Sequence, residues 1–298
     1  MIWNHNQRQA IILAAIILLV SACDKATETP AASPADSTQQ SVDAISSGDT
    51  GTGSTGAGVV EPDRPVVAET LPYAEVGDQL VYGHFAFPAD MIDPLPGIIV
   101  IHERWGLDDG VRAQADRIAA QGYVVLAIDL YRGASASDIA AARPLMVDVV
   151  ENSELANENI RQAYQFLIDS GQAPKIGVLG WSFGGGWALN AALLFPDDLD
   201  AAVIYYGQLT DSHERLGPMN VPVLGLFGEN DRGVTVETVK QFEAAMEFLR
   251  KDYEIEIYPG AGHGFADPGA STYNAEAAEA AWARTIEFLN RHLLEEAV

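Results

Sequence analysis

Short apolar runs and longer amphipathic stretches alternate along the chain beyond about residue 70. The runs are rich in β-branched residues and predict strands at residues 80–87, 97–102, 123–128, 176–179, 201–205, 221–227 and 253–258. The stretches between most of them have apolar residues at helical spacing and predict helices at residues 110–121, 138–149, 154–170, 183–195, 236–251 and 274–294. Strands of 4 to 8 residues separated by helices require crossover connections, which are typical of a parallel sheet.

Three of the predicted strands are almost continuously hydrophobic, which indicates burial on both faces of the sheet. They carry the sequences IIVI at residues 98–101, YVVLAI at 123–128 and VPVLGLF at 221–227. The pattern therefore predicts an α/β fold with a mostly parallel, doubly wound sheet and helices on both faces. We expect residues 71–298 to form one domain of this kind, since its length is ordinary for a single α/β domain.

The N-terminus has the pattern of an export signal. Arg8 and the free amine form a weakly positive start, and residues 10–20 are an unbroken apolar run. Spanning a bilayer as a helix takes about 20 residues, so a run of this length fits the hydrophobic region of a signal peptide better than a permanent anchor. We therefore expect residues 1–22 to be a signal peptide.

The sequence VSAC at residues 20–23 resembles a bacterial lipobox, in which the cysteine becomes the lipidated first residue of the mature protein. Cys23 is the only cysteine of the chain, and an unmodified free thiol is unusual in an exported protein. Lipidation of Cys23 is therefore our prediction. Ordinary cleavage after Ala22 without a lipid, and an uncleaved anchor, stay open as alternatives.

The stretch after the lipobox is too polar and too simple in composition to build a core. Of the 42 residues from 24 to 65, 27 are Ala, Ser, Thr, Gly or Pro and none is aromatic. We predict that residues 23–70 form a flexible linker, whose root-mean-square span would be about 35 to 40 Å. The protein would then be an exported lipoprotein of the bacterial cell envelope, held to a membrane by its lipid; a tolerated tail without a role is the alternative.

Composition narrows the range of functions. Seventeen Lys and Arg against 42 Asp and Glu give a net charge of −25, which excludes nucleic acid as an expected partner because phosphate binding needs clustered basic residues. A single cysteine excludes an intramolecular disulfide framework. We find no His, Cys and Asp spacing that fits a metal site and no glycine loop for phosphate, so no cofactor is expected.

The strongest chemical signal is the sequence GWSFG at residues 180–184, which matches the motif G-x-S-x-G. An apolar strand precedes it and a helical pattern follows it, as a nucleophile elbow requires. We expect Ser182 to be the nucleophile, with the amide of Phe183 and the helix N-terminus facing an oxyanion. The alternative is a tight strand-to-helix turn with no catalytic role.

A serine nucleophile needs a base and an acid, which follow it in the chain in enzymes of this architecture. Of the three histidines after Ser182, His263 lies in a glycine-rich loop just past a predicted strand, whereas His213 and His292 lie in polar loop or helix sequence. Asp231 follows the strand VPVLGLF at the carboxyl edge of the sheet, where open α/β sheets place their sites. We predict Asp231 as the acid, with Glu229 as the alternative.

Several motifs in the right order make the domain similar to the dienelactone hydrolase family of α/β-hydrolases. They are IHERWGLDDGVRAQADRIAAQGYVVLAIDLYRG from residue 101, KIGVLGWSFGGGWAL from 175, AAVIYYG from 201, GENDRGV from 228 and AGHGFAD from 261. The resemblance implies that Ser182, Asp231 and His263 are the nucleophile, acid and base. It also implies that Glu103 lies beside the nucleophile and that the amide of Arg104 is a second oxyanion donor.

Two departures from the family pattern bear on chemistry. The best-known members carry a cysteine where this chain has Ser182, and a hydroxyl depends on His263 as its base, so Glu103 is expected either to hydrogen-bond Ser182 or to structure its loop. Members that cleave dienelactone carry an arginine for the substrate carboxylate where this chain has Asp267. Arg132 lies near the position of a second such arginine; a surface or loop-bracing role is its alternative.

Aromatic residues close to these motifs indicate an apolar pocket, and we expect Trp105 and Phe265 to touch the substrate. The sequence thus predicts a serine hydrolase that cleaves small carboxylic esters or lactones through an acyl-enzyme. A thioesterase or peptidase on the same fold, and a non-catalytic binding protein with an α/β-hydrolase-like fold, remain as alternatives.

Overall fold

The computed structural model describes residues 64–294, which form one sheet with helices around it. The strands are β1 (Val66–Val76), β2 (Gln79–Pro88), β3 (Gly97–Ile101), β4 (Val124–Ile128), β5 (Ile176–Trp181), β6 (Ala201–Tyr205), β7 (Val223–Gly228) and β8 (Tyr253–Tyr258). The α-helices are α1 (Asp109–Ala119), α2 (Ile139–Glu151), α3 (Ser153–Asp169), α4 (Phe183–Leu194), α5 (His213–Leu216), α6 (Val236–Phe248) and α7 (Ala275–Leu289). A π-helical turn at Asn290–Leu294 continues α7.

The strand order is β1-β2-β4-β3-β5-β6-β7-β8. The six strands from β4 to β8 are parallel, whereas β2 runs antiparallel to both β1 and β4. The carboxyl ends of the parallel strands meet at one edge of the sheet, which is where loops can gather a site. The predicted α/β fold, mostly parallel and doubly wound, is confirmed.

Each face of the sheet carries its own hydrophobic core, as the continuous apolar runs predict. In β3, Ile99 and Ile101 contribute to the core on one face, and Ile98 and Val100 to the core on the other. Helices α2, α3, α4 and α6 cover the first face, whereas α1 and α7 cover the second. Helices α1 and α7 share this face, and their first turns both contribute to the wall of one cavity.

The structure corrects the sequence prediction at the start of the domain. The linker was expected to extend to residue 70, but Val66 already begins β1, a strand that the sequence pattern did not predict. The strand lies at the edge of the sheet, and its register shifts between Pro72 and Ala74. A strand with one exposed face and a proline at an irregularity lacks the continuous apolar signal of the central strands.

The predicted signal peptide, the lipidated Cys23 and most of the predicted linker lie outside the described residues. Within residues 64–294, every helix is too short or too polar to span a lipid bilayer. His213, which the sequence placed in a loop, begins the short helix α5 and stacks on Phe248.

Candidate active site

Ser182 lies in the sharp turn between β5 and α4. Its φ angle is 53°, a left-handed conformation that is strained for a residue with a side chain. The turn is possible because the flanking positions are glycines: a Cβ at Gly180 would be 2.2 Å from the carbonyl oxygen of Gly184, and one at Gly184 would be 2.3 Å from that of Ile101. The predicted elbow is therefore present, and it holds Ser182 at the carboxyl edge of the sheet.

Three side chains from separate loops form one hydrogen-bonded chain at this edge. The Oγ atom of Ser182 is 2.8 Å from Nε2 of His263, and Nδ1 of His263 is 2.8 Å from Oδ2 of Asp231. All three residues are buried, with only 3% of Ser182 exposed. Since a carboxylate only accepts, the neutral imidazole carries its proton on Nδ1 and leaves Nε2 free to accept from the serine hydroxyl.

The carboxylate of Asp231 is fixed in this position by the backbone after β7. Its Oδ1 atom accepts hydrogen bonds from the amides of Gly233 at 2.7 Å and Val234 at 3.0 Å, which leaves Oδ2 to accept from His263. The alternative acid, Glu229, instead accepts a hydrogen bond from the amide of Gly260 at 2.9 Å and is exposed. The structure therefore brings Asp231, and not Glu229, to the histidine.

The loop after β3 lies opposite the elbow, and buried polar contacts hold it in place. His102 accepts at Nε2 from the amide of Leu130, at 3.1 Å, so its Nδ1 donates to the carbonyl of Glu103, at 2.6 Å. The hydroxyl of Tyr131 donates to the carbonyl of Arg104 at 3.0 Å. These bonds orient the peptide that precedes Trp105.

The two predicted oxyanion donors are the amides of Phe183 and Arg104. Phe183 is the first residue of α4, where the helix itself offers no acceptor for its amide. The Arg104 side chain is only 2% exposed, and its Nε and Nη1 atoms have no hydrogen-bond partner among residues 64–294. Its guanidinium lies 5.5 Å from the centre of the Trp105 ring.

Glu103 hydrogen-bonds a tyrosine rather than the nucleophile. The hydroxyl of Tyr206 donates to its Oε1 atom at 3.3 Å, whereas the hydroxyl of Ser182 is bonded to His263. Burial raises the pKa of Glu103 to about 8; the negative charge of Asp267 adds to this rise and Arg104 opposes it. Of the two roles expected for Glu103, a hydrogen bond to Ser182 is therefore wrong in this structure.

A cavity of about 160 Å³ opens beside the triad. Glu103, Trp105 and Asp267 line it, as predicted for substrate-pocket residues. The cavity lies next to the triad without including it: Ser182 and His263 do not line it, but Trp181 directly precedes Ser182, and the ring of Tyr206 packs edge-on against His263 with centroids 5.2 Å apart. Its position next to the triad makes it the candidate pocket for part of a substrate.

Two residues predicted to face the substrate, Phe265 and Arg132, do not line the cavity. Phe265 is fully buried in the core, where its ring packs against those of Tyr205, Tyr206 and Tyr258, and it does not line the cavity. Being two residues from a catalytic candidate does not decide which way a side chain points, and here the apolar ring is directed to the core.

Arg132 is also not part of the site. Its guanidinium donates to Asp148 of α2 at 3.1 Å, and its carbonyl accepts from the side chain of Gln79. It has a φ angle of 54° in the tight turn after β4. These contacts give it the loop-bracing role that the sequence left as its alternative.

Sequence reasoning missed most of the cavity wall, including Tyr206, Trp181 and the residues contributed by α1 and α7. The motif AAVIYYG contains Tyr206, but nothing in the pattern distinguished it from a core aromatic. Its φ angle of 37° is a structural sign of a special position. Among residues 64–294 there is no group of three or more His, Cys, Asp or Glu side chains that could hold a metal ion.

The protein is an α/β-hydrolase, because it combines this sheet topology with a hydrogen-bonded serine, histidine and aspartate. The family model described as "Dienelactone hydrolase family" matches residues 81–293, and the chain belongs to that family. It is thus a hydrolase that acts on carboxylic esters.

Relatives of known sequence and structure agree with this membership. A carboxymethylenebutenolidase homologue of Escherichia coli strain K12 is 30% identical over 247 residues, which cover 78% of this chain and 90% of that protein. Another homologue of that name, from Saccharolobus solfataricus, is 29% identical over 69% of this chain and 93% of its own. The crystal structure of a dienelactone hydrolase homologue from Klebsiella pneumoniae superposes with a TM-score of 0.70 at 25% identity, covering 76% of this chain and 99% of that one.

Proposed function

We propose that the protein hydrolyses small carboxylic esters or lactones through an acyl-enzyme formed on Ser182. The observation that carries this proposal is the continuous hydrogen-bonded chain from Ser182 through His263 to Asp231, with 2.8 Å at both contacts. His263 takes the proton from Oγ as the hydroxyl attacks the carbonyl carbon. Asp231 holds the ring in the required tautomer and stabilises the imidazolium.

The amides of Phe183 and Arg104 would donate to the oxygen that becomes negatively charged in the tetrahedral intermediate. When the intermediate collapses, the alcohol leaves with the proton from His263 and the acyl group stays on Ser182. A water molecule then gives a proton to His263 and attacks the acyl carbon; as the bond between this carbon and Oγ breaks, His263 returns the proton to Oγ and the acid is released. None of these reaction steps requires a metal ion or a cofactor.

A fluorophosphonate probe tests the nucleophile directly. We expect the protein to be labelled on Ser182, with the label located by mass spectrometry of the tryptic peptides, and we expect Ser182→Ala to lose both labelling and esterase turnover. Ser212, which caps the short helix α5 far along the chain from the elbow, supplies a matched control, since Ser212→Ala should retain both. Labelling that persists in Ser182→Ala would contradict the proposal.

We also propose that the protein is exported and held to a bacterial membrane by a lipid on Cys23. Support comes from the sequence VSAC at residues 20–23, directly after an apolar run of eleven residues. A diacylated cysteine provides two chains, which is enough for stable attachment. The expected result is detergent partitioning and acyl mass at the mature N-terminus, both lost in Cys23→Ser; an unmodified mature protein beginning at Cys23 would refute the anchor.

A further inference from the structure

The cavity beside the triad has several aromatic side chains in its walls. Six aromatic side chains line it: Trp105, Trp181, Tyr205, Tyr206, Tyr273 and Trp282. Aromatic faces carry partial negative charge and attract a cation that lies over them within about 6 Å. The same walls would also accept a neutral apolar group, so the charges around the cavity decide which ligand fits better.

Those charges are mostly negative. Five acidic side chains line the cavity against one cationic side chain; they are Asp108, Asp109, Asp267, Glu279 and Glu103, of which Glu103 is mostly neutral below about pH 8. The one cation, Arg117, is already engaged: its guanidinium lies 3.8 Å from the centre of the Trp282 ring and 3.6 Å from Glu279. The guanidinium of Arg117 thus lies near both the indole of Trp282 and the carboxylate of Glu279, at the end of the cavity formed by α1 and α7.

The other end of the cavity has the same kinds of lining residue and no cation among them; the guanidinium of Arg104, 5.5 Å from the centre of the Trp105 ring, is buried and does not line the cavity. There, Trp105, Trp181 and Tyr206 lie with Glu103 and Asp267, and Tyr206 packs against His263 of the triad. Only the Oε1 atom of Glu103 has a hydrogen bond, from Tyr206; within residues 64–294 no donor reaches its Oε2 atom. The second oxygen of this cavity-lining side chain is therefore available to a ligand.

We propose that this end of the cavity binds a small ammonium group, so that the preferred substrates are esters that carry a positively charged nitrogen near the scissile bond. The inference rests on the ester hydrolysis at Ser182 proposed above and specifies its substrate class. A volume of about 160 Å³ is below the 300 Å³ or more of pockets for drug-sized ligands, so it suits a charged group of a few heavy atoms.

The protonation of Glu103 supports this choice of ligand. Burial, and after it the charges of Asp267 and Asp108, disfavour its ionisation, whereas Arg104 and the hydrogen bond from Tyr206 favour it. A bound cation would favour the ionised form further. Cation binding should therefore release a proton and strengthen as the pH rises towards the pKa of about 8.

A matched pair of esters tests the proposal. Acetylcholine and 3,3-dimethylbutyl acetate have the same shape, but only the first carries a charge. With the full-length protein at low ionic strength, we expect kcat/KM for acetylcholine to be about tenfold higher or more, and we expect the ratio to fall as salt is added. Equal kcat/KM values for the two esters would overturn the cation site and leave the hydrolase activity standing.

Two variants locate the effect. Asp267→Asn should lower the ratio of the two kcat/KM values at least threefold, because it removes a charge from the cavity wall. Glu69→Gln is the matched control: Glu69 is exposed on β1 and does not line the cavity, so the ratio should stay as in the unmodified protein. An equal fall of the ratio in both variants would assign the preference to the net charge of −25 rather than to this site.

Binding can also be measured without turnover. Three of the five tryptophans line the cavity, so titration of Ser182→Ala with tetramethylammonium chloride should give a saturable fluorescence change, tighter at pH 8 than at pH 6. Sodium chloride and tert-butanol should give none. If neither ester is hydrolysed, this titration alone decides the cation site: a saturable change supports it, and its absence overturns it, while the hydrolase proposal is decided by the labelling of Ser182.

Discussion

The substitution Asp231→Asn tests whether Asp231 acts by fixing the tautomer of His263, because Asn keeps the shape of the side chain and changes only the group that contacts the histidine. In the structure, Oδ1 of Asp231 accepts from two amides, those of Gly233 and Val234. In the variant, the amide oxygen of Asn must occupy this position, because an NH₂ group there would face two donors. The NH₂ group then takes the place of Oδ2, 2.8 Å from Nδ1 of His263, and donates to it.

An imidazole that accepts at Nδ1 carries its proton on Nε2. It then donates to Ser182 instead of accepting the serine proton, so the nucleophile has no base. In a serine protease, the corresponding substitution lowers kcat about 10⁴-fold. A loss of that size corresponds to about 5 kcal/mol of transition-state stabilisation, and we expect the same order here.

The assay is the steady-state hydrolysis of p-nitrophenyl acetate at pH 8, together with thermal melting. The variant should lose about 10⁴ in kcat while its Tm stays within about 3 °C, because the side chain keeps its shape and its two backbone contacts. Glu229→Gln is the matched control and should stay within about threefold, since Glu229 contacts Gly260 and not His263. Turnover near that of the unmodified protein in Asp231→Asn would refute the tautomer argument.

Three further predictions follow from the same geometry. Gly184→Ala places a Cβ 2.3 Å from the carbonyl of Ile101, so we expect a loss of about 1 to 3 kcal/mol in denaturant unfolding and at least 10² in kcat; an unchanged unfolding midpoint would contradict the tight elbow. Because the pKa of Glu103 is raised to about 8, its contribution to stability is present below about pH 4.5 and is lost as the pH rises to about 8. The free energy of unfolding of Glu103→Gln, measured relative to that of the unmodified protein, should therefore be about 2 to 4 kcal/mol more favourable at pH 9 than at pH 4.5. The same difference in unfolding free energy at both pH values would show that the pKa of Glu103 is not raised. Asp267→Arg should raise the ratio of kcat/KM for anionic dienelactone to that for a neutral ester, since like charges 4 Å apart repel by about 4 kcal/mol at an effective dielectric of 20; an unchanged ratio would mean that Asp267 does not act on the bound substrate.

The central fold could be predicted because its signals are local. Strands buried on both faces are continuously apolar, and those from β3 to β8 were found within a few residues of their ends. The edge strand β1 was missed, because a strand with one exposed face and Pro72 at an irregularity resembles a polar linker in sequence.

The parts of the site that could be predicted from the sequence are likewise those with local signals. Ser182 and its elbow form one contiguous motif, and Asp231 and His263 each follow a recognisable strand, so their convergence follows from the sheet edge. The cavity wall depends on α1 and α7, which lie about 165 residues apart in the chain and become neighbours only because both cover the same face. Helical periodicity identifies the buried side of each helix, but it does not identify the helix beside it.

The direction of β1 determines on which side of the sheet the domain begins, relative to the triad. β1 is antiparallel to β2, and β2 is antiparallel to β4, so β1 runs the same way as the parallel strands. Val66, its first residue, pairs with Pro88 and therefore lies towards the amino edge, whereas Ser182 lies at the carboxyl edge. A six-residue strand such as β5 separates the two edges by roughly 20 Å. A rigid support or fusion partner joined directly at residue 64 would thus approach the side of the sheet away from the triad.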